Sequence, residues 1–276
     1  MLSQPLTFFH FTDLHIRSRE ADAAAGFSTF DKMMQIVETA RALEASASFS
    51  IITGDLSDQG HPESYERLKE IITELETFAG PVLVTPGNHD HRGNYYQHLL
   101  NVTAKADQRH DYSRSFGGLK VIVLDSKSGD AVDGGLTDEQ FAWLERELKP
   151  DEPTLLAFHH PLPPLRHGPA DRSLMKAADA QRLLDTVSRY RILAMLTGHV
   201  HSIHTNIIRG VPCISGIGTS FMSDHQHGEI CFYEVSGFNI GTFHEDTLTI
   251  KSVLMPSSHR ELARISLDRA LGMTNQ

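Results

Sequence analysis

Residues 81–91 read Pro-Val-Leu-Val-Thr-Pro-Gly-Asn-His-Asp-His, an apolar run that stops at a Pro-Gly turn and at once delivers an amide, two imidazoles and a carboxylate. A short apolar run bounded by turn formers marks a buried strand, here over 81–85. Upstream, Pro62 opens a helical pattern at the early position where its missing N–H costs nothing, with Tyr65, Leu68, Ile71, Ile72, Leu75 and Phe78 on one face. The same alternation predicts strands over 6–12, 49–53, 154–158 and 192–197. It predicts helices over 28–43, from Thr137, and over 178–190. The 28–43 helix carries Met33, Ile36, Val37, Ala40 and Leu43 on one face; Thr137 with Gln140 makes a capping-box pattern ahead of Phe141, Leu144 and Leu148. Segments 112–116 and 119–125 read as a hairpin across Gly117-Gly118.

Beyond residue 202 helical spacing disappears. Segments 203–209, 211–215, 229–235, 239–243 and 247–254 read as mostly antiparallel strands. The tail from 257 to 276 reads as a short amphipathic helix on Leu262, Ile265, Leu267 and Leu271. Alternating strands and helices followed by strands predict a layered α/β domain, placed over residues 1–256, with 257–276 as tail or short helix.

Polar residues gather where the strands stop. Phe11-Thr-Asp-Leu-His15 ends the first, Ile52-Thr-Gly-Asp-Leu-Ser-Asp58 the second, and Thr85-Pro-Gly-Asn-His-Asp-His91 the third. Ala157-Phe-His-His-Pro161 and Leu196-Thr-Gly-His-Val-His201 end two later ones. Taken singly each has a plain explanation. Asp13, Asp55 and Asn88 are ordinary turn residues, and His159 and His160 could be satisfied core histidines. Only His199 and His201, two apart and so on one face of an extended stretch, stand out alone. Five such ends together are another matter, because ligands of α/β sheets bind beyond the carboxyl ends of the strands. Asp, His and Asn without Cys suit Mn, Fe or Zn. They are too many for one tetrahedral zinc, and fit two ions about 3.5–4 Å apart sharing one carboxylate.

Composition narrows the partners. A net charge of −10 argues against coating DNA or anionic lipid, where a basic face supplies affinity. No stretch of 18 apolar residues predicts a span, and the first residues lack the basic and cleavage features of a secretory leader. Cys213 and Cys231 show no metal spacing, and a reducing, cytoplasmic setting is expected.

The five blocks, intact and in order, resemble the calcineurin-like metallophosphoesterases. The family pattern D-x-H, GD, GNH with an acid, H, and GHxH is carried here by Asp13 and His15, Gly54-Asp55, Gly87-Asn88-His89-Asp90, His159, and Gly198-His199 with His201. Size and block spacing look most like the bacterial cyclic-nucleotide and glycerophosphodiester phosphodiesterases of that family. The resemblance implies a four-layer α/β/β/α sandwich of two facing mixed sheets. It implies one ion on Asp13, His15, Asp55 and His201, and a second on Asp55, Asn88, His159 and His199, with Asp55 bridging and an Fe/Mn or Mn/Mn pair expected. His89 is implied to meet the scissile phosphate, with Asn88 beside it, and Asp90 to orient His89. The attacking group implied is a hydroxide bridging the two ions, and the substrate a small phosphodiester.

His160 is expected behind His159, and Asp58 is read as a turn residue. His91, Arg92, Arg166 and His167 are read as solvated rim, and His225 and His227 as a surface loop bordering the cleft. A phosphomonoesterase, pyrophosphohydrolase or nuclease of the same family, or a non-catalytic scaffold, are the competing readings. A nuclease should carry a basic groove that this chain does not display. No nucleic-acid or membrane partner is expected, and the C-terminal strands leave room for a homo-oligomer. The neutral Asn88 fits an anionic substrate, since a carboxylate there would cancel the positive charge that two ions leave uncompensated.

Overall fold

The structure, a computed structural model, describes residues 4–44, 46–103, 108–163, 174–226, 229–244 and 247–266. β1 (Leu6–Phe11), β2 (Phe49–Thr53) and β3 (Val82–Thr85) run parallel, and β12 (Gly237–His244) and β13 (Thr247–Leu254) extend their sheet antiparallel in the order β13-β12-β1-β2-β3. The second sheet has the order β4-β5-β6-β7-β9-β8: Tyr112–Phe116, Leu119–Val123, Thr154–Ala157, Ile192–Thr197, Val211–Ser215 and His204–Ile208. Its centre is parallel and its outer strands β4 and β8 are antiparallel.

Period-two alternation decides which side chains go where. Leu6 and Phe8 of β1, Phe49 and Ile51 of β2, and Leu119, Val121 and Val123 of β5 share one buried cluster, which is the layer between the sheets. Phe9 and Phe11 point the opposite way, onto α2 (Thr29–Leu43) and α3 (Pro62–Glu76). Ile122, Leu156 and Met195 face α5 (Asp138–Glu147) and α6 (Ala177–Val187). The expected helix/sheet/sheet/helix layering follows from these three clusters. Phe8 stacks on Phe49 at 5.2 Å with rings 2° from parallel, both fully buried. Truncating such a ring typically costs about 3–5 kcal/mol.

Helix starts follow the sequence signals. Ser28 accepts from Asp31 N ahead of α2, Pro62 opens α3, and Thr137 and Gln140 form both bonds of the capping box before α5. Three further elements are not expected from the sequence: α1 (Arg19–Ala25), although Ser18 caps its start and Gly26 its end, the turn α4 (Arg92–Asn94) that passes into a π-helical turn at Tyr95–Leu99, and β10 (Met222–Gln226). One expectation is corrected. Within the tail, Glu261–Ser266 is not helical; it is strand β14, paired antiparallel with β11 (Glu229–Tyr233), which also pairs with β10. β11 offers a free row of backbone donors and acceptors, and Arg264 crosses to Glu229 at 2.9 Å; a helix would leave that edge unpaired. Leu267 and Leu271 lie outside the described residues. No described helix is long and apolar enough to cross a membrane.

Candidate metal centre

The carboxyl ends of β1, β2 and β3 in one sheet and of β6 and β7 in the other meet at one edge of the sandwich. Backbone bonds knit the turns together: Asp13 N donates to Gly54 O (3.1 Å), His15 N to Asp55 O (2.9 Å) and Gly198 N to His159 O (2.9 Å). The turns are sharp. Asp13, His15, Asp55, His199 and His201 all have positive φ, between 46 and 70°, and they are five of the eight non-glycine residues so placed among those described. Such conformations cost of order 1 kcal/mol each and persist where the surroundings over-determine them, which is most often at functional sites. Two glycines are required by contact. A Cβ on Gly87 would lie 2.2 Å from Asp55 Oδ1, and one on Gly198 would lie 1.8 Å from Thr12 Oγ1.

Two clusters meet at Asp55, and a third, of His15, Asp58 and His89, adjoins the first. Donor atoms of Asp13, His15, Asp55 and His201 lie within 4.8 Å of one another, and all four residues are buried. In the second, Asn88 Oδ1 sits 3.1 Å from His159 Nε2 and 2.9 Å from His199 Nδ1, with the latter two residues also grouped with His160. Asp55 divides its oxygens between them: Oδ2 lies 3.6 Å from His15 Nε2 and Oδ1 lies 3.4 Å from His159 Nε2.

Hydrogen bonds fix the imidazole tautomers. His15 Nδ1–H faces Asp58 Oδ1 (3.1 Å), His201 Nδ1–H donates to the Phe221 carbonyl (3.0 Å), and His159 Nδ1–H to the Thr53 carbonyl (2.7 Å). Burial lowers both His15 and His201, the latter to about 4, so both are neutral. Their Nε2 lone pairs nevertheless face each other at 3.1 Å. Two acceptors at that distance repel, and a cation between them removes the conflict; the donor set therefore fits a metal ion. In the second cluster burial opposes charge on His159, yet Asp55 and Asp13 outweigh it and push the imidazole up to about 9. A proton favoured on His159 stands where the donor set would place a cation. Burial would raise Asp55 too, but His159, His89 and His15 hold it well below the usual carboxylate range. Asp13, whose two oxygens both lie 3.0 Å from His199 N, is pushed up to about 6 by burial.

The structure brings together all seven expected ligands, Asp13, His15, Asp55, Asn88, His159, His199 and His201, and sets His89 beside them, its ring centroid 4.6 Å from that of His15. His159 Nε2 lies 3.1 Å from Asn88 Oδ1 and 3.4 Å from Asp55 Oδ1. His160 instead bonds Ser126 Oγ through Nδ1 at 2.8 Å, although a donor atom of its ring joins the second cluster.

The expected role of Asp90 needs correction. Its carboxylate accepts from the backbone N–H groups of Gly87, Leu56 and Ser57 and from Tyr65 Oη, at 2.8–3.0 Å. It is a clamp that joins the turns after β2 and β3, because four donors already surround it. His89 Nδ1 is held by the Asp58 carbonyl at 2.9 Å instead. Asp58, read from sequence as a turn residue, thus touches two site histidines; the pairing of its turn with that of His15 could not be seen along the chain.

Arg92 is no rim residue either. It pairs with buried Asp125 and donates to Lys127 O (3.0 Å), while His91 caps Asn94 N. Arg166, His167 and His227 lie outside the described residues, and of His225 only its place in β10 is described.

A sequence model of the calcineurin-like phosphoesterases matches residues 6–202. A 3′,5′-cyclic-nucleotide phosphodiesterase of Nostoc sp. is 29% identical over 259 residues, 92% of this chain and 94% of the relative. A probable cyclic nucleotide phosphodiesterase of Rhodococcus erythropolis is 33% identical, covering 78% of this chain and 71% of the relative. A glycerophosphodiester phosphodiesterase of Enterobacter lignolyticus is 26% identical over 70% of each chain. Among solved structures, a dimetal phosphatase from Danio rerio superposes with a TM-score of 0.64 at 15% identity, covering 95% of this chain and 99% of the other.

Proposed function

The chain belongs to the calcineurin-like phosphoesterase family, and on that premise we propose that it hydrolyses a small phosphodiester, a cyclic nucleotide or a glycerophosphodiester, at a two-ion centre. The observation that carries the proposal is Asp55, whose two oxygens serve two separate clusters of donors. An isolated ligand set would have no use for that division. Relatives named for both diester classes support the choice of substrate.

When bound, two ions supply Lewis acidity and lower the pKa of water towards ~7. Asp13, His15, Asp55 and His201 hold the first ion in this reading, and Asp55, Asn88, His159 and His199 the second. The oxygen- and nitrogen-only donors suit an Fe/Mn or Mn/Mn pair. Asn88 keeps its half of the site free of an added negative charge, so the phosphate anion is not repelled there.

His89 is the exposed member of the group. Its Nδ1–H is committed to the Asp58 carbonyl and its backbone N–H to Asp55 Oδ1 (2.9 Å), which leaves Nε2 for the substrate. Burial works against its charge, but Asp55 and the Asp58 carbonyl outweigh that and raise its pKa. A more readily protonated Nε2 suits it to donate to a phosphoryl oxygen or to the leaving alkoxide. Cys213 and Cys231, both buried and unpaired, support a reducing, cytoplasmic setting.

Metal-quantified protein with Mn(II), tested on bis(p-nitrophenyl) phosphate against p-nitrophenyl phosphate and then on cyclic nucleotides and glycerophosphodiesters, tests the reading. Faster turnover of diesters is expected. A preference for the monoester would overturn it.

A further inference from the structure

Asp58, whose carboxylate lies near donor atoms of His15 and His89, and Arg17 behind it take no part in either ion's expected ligand set. The turns after β1 and β2 continue to pair beyond the strands: Ile16 N donates to Leu56 O (3.0 Å), Asp58 N donates to Ile16 O (3.1 Å), and Ile16 and Ser57 form an isolated parallel bridge. This short ladder sets Asp58 opposite both His15 and Arg17. Both oxygens of the Asp58 carboxylate are engaged. Oδ1 takes His15 Nδ1 at 3.1 Å, and Oδ2 accepts from Arg17 Nε at 3.0 Å.

Arg17 is held in turn from three sides. Its guanidinium carbon lies 4.8 Å from the Phe27 ring centroid, its backbone N–H donates to Thr29 Oγ1 (3.2 Å), and its backbone carbonyl accepts from Arg67. Arg67 is itself locked at 2.7 Å to buried Asp22 of α1. A line of polar contacts therefore runs from α1 to the imidazole of His15: Asp22 to the Arg67 guanidinium, Arg67 to the Arg17 backbone carbonyl, and Arg17 Nε to Asp58. His201 and His159, by contrast, rest their Nδ1 on neutral backbone carbonyls, where His15 rests on a carboxylate.

We propose that Asp58, held by Arg17, is the positioning residue for His15, fixing its ring with Nε2 turned inward and strengthening that nitrogen as a donor to the first ion. The inference rests on the two-ion reading above. A carboxylate behind a ligating imidazole fixes tautomer and rotation and increases basicity, and its loss costs about 10- to 100-fold in metal affinity. Arg17, through the single bond from Nε to Oδ2, keeps the carboxylate from swinging into solvent.

The test measures Mn(II) affinity and stoichiometry by competition with a metallochromic chelator. Wild type is compared with Asp58→Ala, Asp58→Asn and Arg17→Gln. Asp58→Ala is expected to weaken one of the two ions by about 10- to 100-fold and leave the other unchanged. Asp58→Asn, which keeps an acceptor but not the charge, should lose less. Arg17→Gln, remote from the ions, should shift the same ion in the same direction and guards against a folding defect in the Asp58 variants. Excess Mn(II) should restore the turnover of Asp58→Ala, because His89 is held by the backbone carbonyl of Asp58, which the substitution leaves in place. Wild-type affinity for both ions in Asp58→Ala overturns the proposal, and so does low turnover at full occupancy, which would put Asp58 in the chemistry itself. Wild-type protein that binds fewer than two ions overturns the two-ion reading first and this proposal with it.

Discussion

The two halves of the candidate centre share Asp55 and little else. The first half has a carboxylate of its own, Asp13, two neutral histidines and four buried residues, with a charged carboxylate behind His15. The second has a neutral amide, Asn88, and two of its residues, Asn88 and His199, are partly exposed. One half is built to retain a cation; the other trades charge for access. The difference teaches that, in the proposed two-ion reading, the site is asymmetric: the half with fewer negative ligands is the one suited to meet an anionic substrate.

Substitutions can break that comparison. The largest effect is expected from Asp55→Ala, which removes the one group common to both halves. Turnover should fall on the order of 10³-fold, about 4 kcal/mol of barrier, with both ions weakened. Loss of one ion only, by metal analysis, would show that the halves do not share this carboxylate. His89→Ala should come next. It should retain two ions yet lose on the order of 10²-fold in kcat, as expected for a lost proton donor. Full turnover would remove His89 from the chemistry.

Asn88→Asp sharpens the asymmetry. Binding of the second ion should be at least as tight while turnover drops, by about tenfold for each 1.4 kcal/mol of lost attraction. Faster turnover would refute the charge argument.

The smallest effect concerns protons. Burial works against charge on His159, but Asp55 and Asp13 outweigh it and push the imidazole up to about 9. An ion taken up near pH 7 must displace that proton, which calorimetry in buffers of different ionisation enthalpy would register as release of about one proton. Because the folded value is raised, the stability that this proton contributes is complete below the unfolded value of about 6.5 and is lost as pH rises through about 9. The melting temperature of metal-free protein should therefore fall over that window, and that of loaded protein should not. Equal pH profiles would argue that no ion replaces the proton.

Much of this was legible along the chain. Alternation of period two and 3.6 placed most strands and helices, since each buries one face, and all seven expected ligands stand at strand ends where the sheets bring them together. The failures share a cause. Leu262 and Ile265 are three apart and fit a helical face as well as a strand, and the free edge of β11 decided for the strand. Asp90 sits next to His89 in sequence, but its carboxylate turns to three backbone N–H groups and a tyrosine. Asp58 looked like any residue of a turn.

What the sequence alone determined is the set of chemical groups and their place at the ends of strands, because donor type and hydrophobic period are local properties. Only the tertiary structure decided which group serves which. The split of Asp55 between two clusters, the clamp at Asp90 and the line from Asp22 through Arg67 and Arg17 to His15 all depend on turns from different strands packed within hydrogen-bonding distance. Hydrogen bonds and charge interactions act over a few ångströms of space, whatever the separation along the chain.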